Sequence, residues 1–281
     1  TVALAGLALI SFNACKHGDD FQKKDGLEYK IVKDVPGSEK ANVGDWVSIN
    51  IRMFAGDSLL ADSRKLNQNK PVEMQLQQPM FRGDWTQGLT MLTPGDSTVF
   101  RISVDALKKA LGNQPLPPFM KKAKYIMYEV SMVSIKTAGQ YKNDIQQKDS
   151  TLLQDYFTKN NIKPTKTASG LFYTMQSEGS GDAIKTGDSV SVKYTGKTLD
   201  GNVFDSNTDP SKGHVKPFVF AIGAHEVIPG MEEGVALFKK GGKGTLYIPS
   251  TLAYGAASPG PGIAPNSILI FYIEVSDIKH P

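Results

Sequence analysis

The residues that could carry out covalent, metal or phosphate chemistry are scattered along this chain. Its four histidines stand singly, and no two of them have the spacing of metal ligands. No serine lies in a nucleophile-elbow context, and no glycine run resembles a phosphate-binding loop. A single cysteine, Cys15, excludes an intramolecular disulfide. The sequence therefore predicts neither a metal site nor a bound cofactor.

Aromatic residues, in contrast, recur in the C-terminal part of the chain within three motifs. The motifs are VSVKYTGKTLDGNVFDSN, KPFVFAIGAHEVIPGMEEGVALFKKGGKGTLYIPSTLAYG and GIAPNSILIFYIEV, which begin at Val190, Lys216 and Gly262. Any one of their short sequence signatures alone is a weak signal. Together, in this order and over about 110 residues, they resemble the FKBP-type peptidyl-prolyl cis/trans isomerases.

The resemblance implies that these motifs form a pocket that isomerises Xaa-Pro bonds in polypeptides. Tyr254 would donate its hydroxyl to a substrate carbonyl, and the N–H of Ile228 would donate to the carbonyl of the prolyl segment. Asp205 would organise the pocket and face the twisting carbonyl, with Tyr194 and Phe204 as apolar walls. Further substrate contacts are implied for Phe218, Phe220, Glu226, Val227, Met231, Ile263 and Phe271.

These residue types suit the reaction. Rotation about an Xaa-Pro bond must break amide resonance, with a barrier of about 20 kcal/mol, but it makes and breaks no covalent bond. The twisted amide has less charge separation than the planar amide, so an apolar pocket that excludes water favours the twisted form. Aromatic rings provide such a pocket and contact the proline ring. The reaction therefore requires no nucleophile, metal or strong base.

Two positions depart from the family pattern. Met231 stands at the floor of the implied pocket, where many members have tryptophan, and methionine fills apolar space adaptably. We expect this change to alter the affinity for macrolide ligands more than it lowers isomerase activity. Ala264 stands where proline is frequent in the loop GAASPGPGIAPNS, which leaves the substrate preference open.

The elements that must position these residues occur twice. DGLEYKIVKD from Asp25 is similar to SGLFYTMQSE from Ser169, and the offset of about 145 residues indicates a duplicated domain. Short alternating apolar runs predict strands, and GMEEGVALF predicts one short helix. We therefore predict an α+β fold of two FKBP-like domains. Each is a curved antiparallel β-sheet, or half-barrel, wrapped around a short α-helix.

The predicted domains are residues 27–139 and 167–281, joined by a linker helix within residues 140–166. Asn160 and Asn161 are expected to end that helix. One apolar face of the helix is predicted from the spacing of Ile145, Leu152, Leu153, Tyr156 and Phe157. This face fits a plain linker, and it also fits packing on a domain or on another subunit.

The first copy lacks most of the implied pocket. In the alignment of the two copies, Ile51 replaces Tyr194, Ala61 replaces Phe204, and Asp62 matches Asp205. The remaining replacements are Val72 for Phe218, Met74 for Phe220, Lys108 near Tyr254, and Trp85 at the position of Met231. We predict that this degenerate copy folds without isomerase activity. A role in packing, in holding peptides or in spacing from a membrane stays open.

The first fifteen residues, TVALAGLALISFNAC, form an apolar run that ends at Cys15. The run is too short to span a bilayer as a helix and suits the apolar region of a signal peptide. Its ending resembles a bacterial lipobox, which implies lipidation of Cys15; the alternative is a plain secretory signal with a chance cysteine. We expect a truncated lipoprotein signal segment over 1–15, a polar tether over 16–26, and a bacterial membrane-anchored lipoprotein of the cell envelope, periplasmic or surface-facing.

Composition and motifs together favour one function and leave others open. The 281 residues carry a net charge of +4 with basic residues spread rather than blocked, so no nucleic-acid partner is predicted. The favoured function is a peptidyl-prolyl cis/trans isomerase that assists the folding of exported, proline-containing polypeptides. The alternatives are a non-catalytic peptide-binding chaperone and a surface interaction lipoprotein on the same scaffold. The aromatic set with Tyr254 favours the enzyme.

Overall fold

The structure of the chain is a computed structural model. It describes four stretches: residues 20–37, 39–112, 114–120 and 122–281. The chain divides into two compact units, with the boundary between Gly139 and Gln140. Cys15 and the predicted signal segment lie outside the described residues. Within the described stretches, no helix combines the length and the apolar character needed to cross a membrane.

Unit 1, which ends at Gly139, is an antiparallel sheet with short helices. Its elements are β1 (Gln22–Lys24), β2 (Leu27–Lys33), β3 (Trp46–Ala55), β4 (Ser58–Asp62), α1 (Ser63–Leu66), β5 (Val72–Gln75), α2 (Trp85–Leu89), β6 (Ser97–Ser103), α3 (Val104–Ala110) and β7 (Tyr125–Lys136). The strands pair in the order β1-β2-β6-β7-β3-β4, and β5 also pairs with β3. The core lies between α2 and one sheet face, where Leu89 packs with Ile49 and Phe100.

Unit 2 repeats this design. Its elements are α4 (Ala138–Lys159), β8 (Thr165–Lys166), β9 (Phe172–Ser177), β10 (Ser189–Thr198), β11 (Val203–Ser206), β12 (Phe218–Ala221), α5 (Pro229–Val235), β13 (Lys243–Ile248) and β14 (Leu269–Lys279). The strands pair in the order β11-β10-β14-β13-β9-β8, and β12 also pairs with β10. Read from the opposite end, the order in unit 2 matches that in unit 1. Strands β9, β13, β14, β10 and β11 are equivalent to β2, β6, β7, β3 and β4. The predicted α+β fold with two open antiparallel sheets is confirmed.

Helix α5 is the element on which the core of unit 2 is built. Pro229 occupies its first turn, where a proline costs no hydrogen bond, and Met231 and Val235 share its buried face. A Cβ atom on Gly234 would lie 2.4 Å from the side chain of Leu246, so glycine is required for α5 to lie directly against β13. The helix ends at Val235, three residues before the end of the apolar pattern that predicted it.

Helix α4 packs on the opposite side of the same sheet. Its buried residues recur every four positions, at Tyr141, Ile145, Asp149, Leu153 and Phe157. Leu153 and Phe157 contact an apolar group on the sheet, formed by Phe172, Tyr247, Ile268 and Ile270. Leu152 was predicted on the buried face but is 40% exposed. The buried face of α4 includes Asp149 instead. A search for apolar spacing cannot find an acidic residue on a buried face.

Candidate active site

The predicted pocket residues of unit 2 come from five separate elements, the loop before α5 and the loop after β13. A single apolar cluster around α5 contains the buried side chains of Phe220, Met231, Ile263 and Phe271. Partly buried residues of the predicted site pack against this cluster: Tyr194, Phe204, Val227 and Ile228. The predicted residues outside the cluster are Asp205, Phe218, Glu226 and Tyr254.

Five aromatic rings form a continuous row across the mouth of this cluster. Phe204 and Phe271 are in edge contact with centroids 5.7 Å apart, and Phe271 lies 5.9 Å from Tyr194. The rings of Phe218 and Tyr194 meet edge-on with centroids 6.4 Å apart. The rings of Phe218 and Phe220 are tilted by 31°, with centroids 5.8 Å apart. Phe218 is 42% exposed, whereas Phe220 is buried. The row therefore contains both buried and exposed rings, and the exposed ring of Phe218 is accessible from solvent.

Gly196 allows these rings to approach one another. A Cβ atom at this position would lie 2.7 Å from the ring of Phe204 and 2.8 Å from that of Phe271. The residue lies in the YTG motif, and its strand pairs it with Phe271 and Asp205. Sequence reasoning did not include Gly196 among the site residues. The motif was the signal that could have identified it.

The carboxylate of Asp205 is fully engaged by neighbouring donors. The Tyr194 hydroxyl donates to Oδ2 at 2.5 Å, and the Ser206 N–H donates to Oδ1 at 2.8 Å. His214 Nε2 lies 2.9 Å from Oδ1. Burial acts to raise the pKa of Asp205, but the hydrogen bonds from Tyr194, His214 and Ser206 hold the pKa below its usual value. Asp205 is therefore an ionised anchor for the Tyr194 ring.

His214 was missed because its sequence position gives no signal. It follows a short 3-10 turn, Pro210–Lys212, that turns the chain back towards β11. Only this turn brings the imidazole to Asp205, and the nine-residue separation has no helical or strand period. The described residues include no group of three or more His, Cys, Asp or Glu side chains that could hold a metal ion.

Two hydrogen-bond donors face the pocket without protein partners. Ile228 precedes α5 in an extended conformation, and within the described stretches its N–H donates to no protein acceptor. The Tyr254 hydroxyl likewise has no hydrogen-bond partner among the described residues, and the side chain is 40% exposed. Burial, and after it the charge of Asp205, raises the pKa of Tyr254, so the hydroxyl stays protonated as a donor.

The predicted residues Glu226 and Ile263 have structural partners. Oε2 of Glu226 accepts from the N–H of Ala221 at 3.1 Å and so braces the end of β12, while the side chain remains exposed. Ile263 is buried in the cluster, and its carbonyl accepts from the Ser258 hydroxyl at 2.7 Å. Ile263 thus belongs to the apolar cluster, whereas the hydrogen bond of Glu226 is made to the end of β12.

The corresponding region of unit 1 is filled. Trp85 stacks on Tyr128 with centroids 5.0 Å apart and ring planes 14° apart. Tyr128 and Met53 also pack on a small core that includes Ile126 and Leu116. The space that would separate floor and wall in a pocket is therefore occupied by side chains.

The strand register corrects one part of the sequence alignment. In unit 2, Gly196 pairs with Asp205, and in unit 1 the corresponding Met53 pairs with Ala61. Ala61 therefore stands at the position of Asp205, not of Phe204, which leaves Leu60 at the position of Phe204. The carboxylate of Asp62 is used elsewhere: it caps α1 by accepting from the Arg64 N–H at 3.0 Å. Unit 1 thus lacks the acid as well as the wall.

The cavities outside the aromatic row have a different character. In unit 1, a cavity of about 190 Å³ is bordered by Arg52, Asp62, Arg64 and Glu129 together with other residues of β3, β6 and β7. Arg52 and Glu129 are paired neighbours on β3 and β7, and they form an ion pair in this lining. Such a polar, charged lining would favour the planar, more polar amide, so the aromatic row of unit 2 fits amide rotation better.

Comparisons with known proteins match unit 2 to a described family. Residues 181–276 match the family described as FKBP-type peptidyl-prolyl cis-trans isomerase. A probable FKBP-type peptidyl-prolyl cis-trans isomerase FkpA of Neisseria meningitidis is 32% identical over 195 residues, which are 68% of this chain and 69% of that protein. A probable FKBP-type isomerase of Haemophilus influenzae is 46% identical over 40% of this chain and 44% of its own length. The crystal structure of FkpA from Escherichia coli is 36% identical, covers 50% of this chain and 62% of that chain, and has a TM-score of 0.41.

Proposed function

The chain belongs to the FKBP-type peptidyl-prolyl cis-trans isomerases, and we propose that the aromatic pocket of unit 2 is its catalytic site. The observation that carries this proposal is the row of rings from Phe204 to Phe220, which lies beside two unpaired donors, the Ile228 N–H and the Tyr254 hydroxyl. An apolar wall and hydrogen-bond donors are what rotation about an amide requires.

The apolar wall lowers the barrier through the polarity of the amide. A planar Xaa-Pro amide is stabilised by charge separation between nitrogen and oxygen, and twisting removes that separation. A proline ring held against Phe204, Tyr194 and Phe271 is shielded from water, so the planar form loses more solvation than the twisted form. Met231, which is 5% exposed, closes the floor below these rings. The pocket thus binds the twisted amide better than the planar one.

The two donors orient the peptide rather than transfer protons. The Tyr254 hydroxyl and the Ile228 N–H each offer one hydrogen bond to a substrate carbonyl, which fixes the chain on both sides of the rotating bond. Asp205 is held ionised and all its near neighbours are donors, so it neither gives nor takes a proton at neutral pH. Its role is to hold the ring of Tyr194 and to place a negative charge near the rotating amide.

A coupled assay with a short Xaa-Pro peptide and the full chain tests the proposal. Uncatalysed isomerisation takes about 10–100 s at 25 °C, so catalysis is read as a faster slow phase. We expect activity that falls when the Phe204–Phe271 wall is disrupted and persists in chelator. Peptide binding without acceleration would instead support a non-catalytic chaperone or an interaction protein.

We also propose that the clients are exported proteins and that the chain is held at the membrane through lipid on Cys15. The support is the apolar run that ends in SFNAC and the position of the chain's one cysteine. Membrane fractionation of the wild type and of Cys15→Ser tests this: the variant is expected in the soluble fraction or unprocessed. An identical distribution of the two proteins contradicts the anchor.

A macrolide that fits an aromatic FKBP pocket is the second ligand class that we propose. The floor residue Met231 is narrower and more flexible than tryptophan, so stacking on the floor is weaker. We expect macrolides to compete with the peptide substrate at an affinity that rises in Met231→Trp. Competition that is unaffected by this exchange would place the macrolide away from the floor.

A further inference from the structure

One acidic side chain lies on the buried face of α4. Asp149 is 2% exposed, and Ile145 and Leu153 lie one turn to either side of it. Burial raises the pKa of Asp149, while hydrogen bonds from Ser250 and the charge of Lys148 act in the opposite direction. A carboxylate in such a place is unfavourable for simple packing unless its hydrogen bonds are satisfied. Its partners therefore indicate what it does.

Both hydrogen bonds of Asp149 go to one residue. Oδ2 accepts from the N–H of Ser250 at 2.7 Å and from its hydroxyl, also at 2.7 Å. Ser250 is fully buried and opens the 3-10 turn Ser250–Leu252 that follows β13. Two donors from one residue fix both the position and the orientation of this turn.

Ser250 in turn holds the backbone on either side of Tyr254. Its carbonyl accepts from the N–H of Ala253 at 3.0 Å and from the N–H of Gly255 at 2.9 Å. The residues that flank Tyr254 are thus tied to a residue that α4 fixes. A shift of Ser250 moves the hydroxyl that is aimed at the substrate.

The far end of the same loop is also tied to α4. The N–H of Asn266 donates to the carbonyl of Gly255 at 2.7 Å, and its side-chain Nδ2 donates to the Tyr141 hydroxyl at 3.0 Å. Tyr141 and Asp149 lie about two turns apart on one face of α4. The helix therefore holds loop 250–266 at both of its ends.

We propose that α4 positions loop 250–266 for catalysis and that Asp149 is the positioning residue that does so. This inference rests on the proposed function, since the loop carries Tyr254 and Ile263. The sheet lies between the pocket and the helix: Leu246 and Ile248 face the pocket cluster, and Tyr247 faces α4. The helix thus supports the pocket from behind, without touching substrate, and preorganises it.

The affected quantity is substrate binding. The Tyr254 hydroxyl can donate to a carbonyl in both the planar and the twisted amide, so a loosened loop weakens ground state and transition state alike. Asp149→Ala is expected to raise KM on the order of threefold to tenfold, the equivalent of one hydrogen bond, and to change kcat less than about twofold. Asp149→Asn keeps an oxygen acceptor for the Ser250 N–H and is expected to restore KM to within about twofold of the wild type.

Two further variants on α4 separate positioning from stability. Asp155→Asn changes an exposed acid on the same helix and is expected to leave KM unaltered. Leu153→Ala removes a fully buried side chain that packs in the apolar group with Phe172 and Ile270, and it is expected to lower the unfolding midpoint without the rise in KM. If Asp149→Ala does not fold, Ser250→Ala deletes one of the two donors and is expected to raise KM by a smaller factor.

Hydrogen exchange on the full-length chain gives a readout that does not depend on activity. In Asp149→Ala, the amides of Ala253 and Gly255 are expected to exchange about tenfold faster, while those of β9 keep their wild-type rates. An unchanged KM and unchanged exchange, with only a lowered unfolding midpoint, would overturn the proposal and leave Asp149 a docking contact. An inactive wild type would overturn the proposed function, and the exchange rates would then decide whether Asp149 orders the loop.

Discussion

Unit 1 and unit 2 have the same strand order, yet at one position facing the pocket they carry residues of opposite size. Gly196 pairs with Phe271 in unit 2, and Met53 pairs with Tyr128 at the same place in unit 1. The absence of a side chain at Gly196 leaves room for two aromatic rings. The methionine fills that room from the strand itself. The pocket of unit 2 therefore depends on the missing side chain at Gly196 of β10.

The floor and the acid follow the same logic. In unit 1 the indole of Trp85 stands at the position of Met231 and stacks on Tyr128, the residue at the position of Phe271. Ala61 stands at the position of Asp205 and offers no carboxylate to a tyrosine hydroxyl. These exchanges leave unit 1 with less of the apolar and acidic groups that form the binding site in unit 2.

The largest effect is expected when unit 2 receives the unit 1 residue. Gly196→Met should lower kcat/KM by about a hundredfold or more, because its side chain must displace the rings of Phe204 and Phe271. Overpacking should also cost about 1–3 kcal/mol of unfolding free energy. The peptide assay and urea unfolding measure the two effects. Gly139→Ala, whose Cβ meets no atom closer than 4.0 Å, is the control.

This variant also sets an upper limit on the activity of unit 1, since unit 1 can contribute no more than the activity that remains in the full chain. We expect that remaining activity to be about one hundredth of the wild-type kcat/KM or less. A variant that folds and keeps a third or more of the wild-type kcat/KM would contradict the argument that Gly196 creates the pocket.

The next effect comes from the wall. Phe204→Ala opens the ring row to water and should lower kcat/KM by about tenfold to a hundredfold. Because Phe204 is only partly buried, the loss of unfolding free energy should stay below the roughly 3–5 kcal/mol of a fully buried phenylalanine. Leu60→Ala removes the corresponding side chain of unit 1 and should leave activity unchanged. Equal losses in the two variants would mean that stability, not the wall, limits the assay.

Much of this comparison follows from sequence, because motifs and periodicity report on single residues and single elements. The strands and the short helix were predicted from sequence. The register of the sheets also agrees with the alignment of the two copies at three positions: Ile51 with Tyr194, Val72 with Phe218, and Met74 with Phe220. What sequence misses depends on distances between elements. The Gly196 clearance, the reach of His214 and the one-residue shift of Ala61 are set by bulges and turns that no period encodes.

A smaller effect is expected for the acid. Asp205→Leu removes the acceptor of the Tyr194 hydroxyl and should lower kcat/KM by about tenfold while the fold survives. Tyr194→Phe breaks the same hydrogen bond from the other side. If Asp205 acts through that ring, the double variant should lose little more than either single variant. Full activity in Asp205→Leu would mean that Asp205 only shapes the turn and has no role in the pocket. Ala61 stands at the equivalent position in unit 1.

A smaller loss still is expected for the hydroxyl of Tyr254. Tyr254→Phe deletes one hydrogen bond, worth about 0.5–1.5 kcal/mol, and should lower kcat/KM roughly threefold to tenfold. Tyr29→Phe deletes an exposed hydroxyl of unit 1 that donates to Gln22, and should have no effect on activity. A loss of more than about a hundredfold for Tyr254→Phe would imply a proton-transfer role that the pocket mechanism does not include.

The smallest effect is expected from pH, where the mechanism predicts almost none. With no general acid or base, kcat/KM should vary less than about twofold between pH 6 and 8. Asp205 has a folded-state pKa below its unfolded value, so its contribution to stability is present above about pH 4 and is lost only as the pH falls through the lower, folded pKa. Among the described residues, His214 is the histidine that contacts Asp205. Because the proposed mechanism uses no imidazole, the profile of kcat/KM against pH should stay flat in His214→Gln. A bell-shaped profile in the wild type that flattens in His214→Gln would make the His214 imidazole part of the chemistry and would contradict a purely apolar pocket.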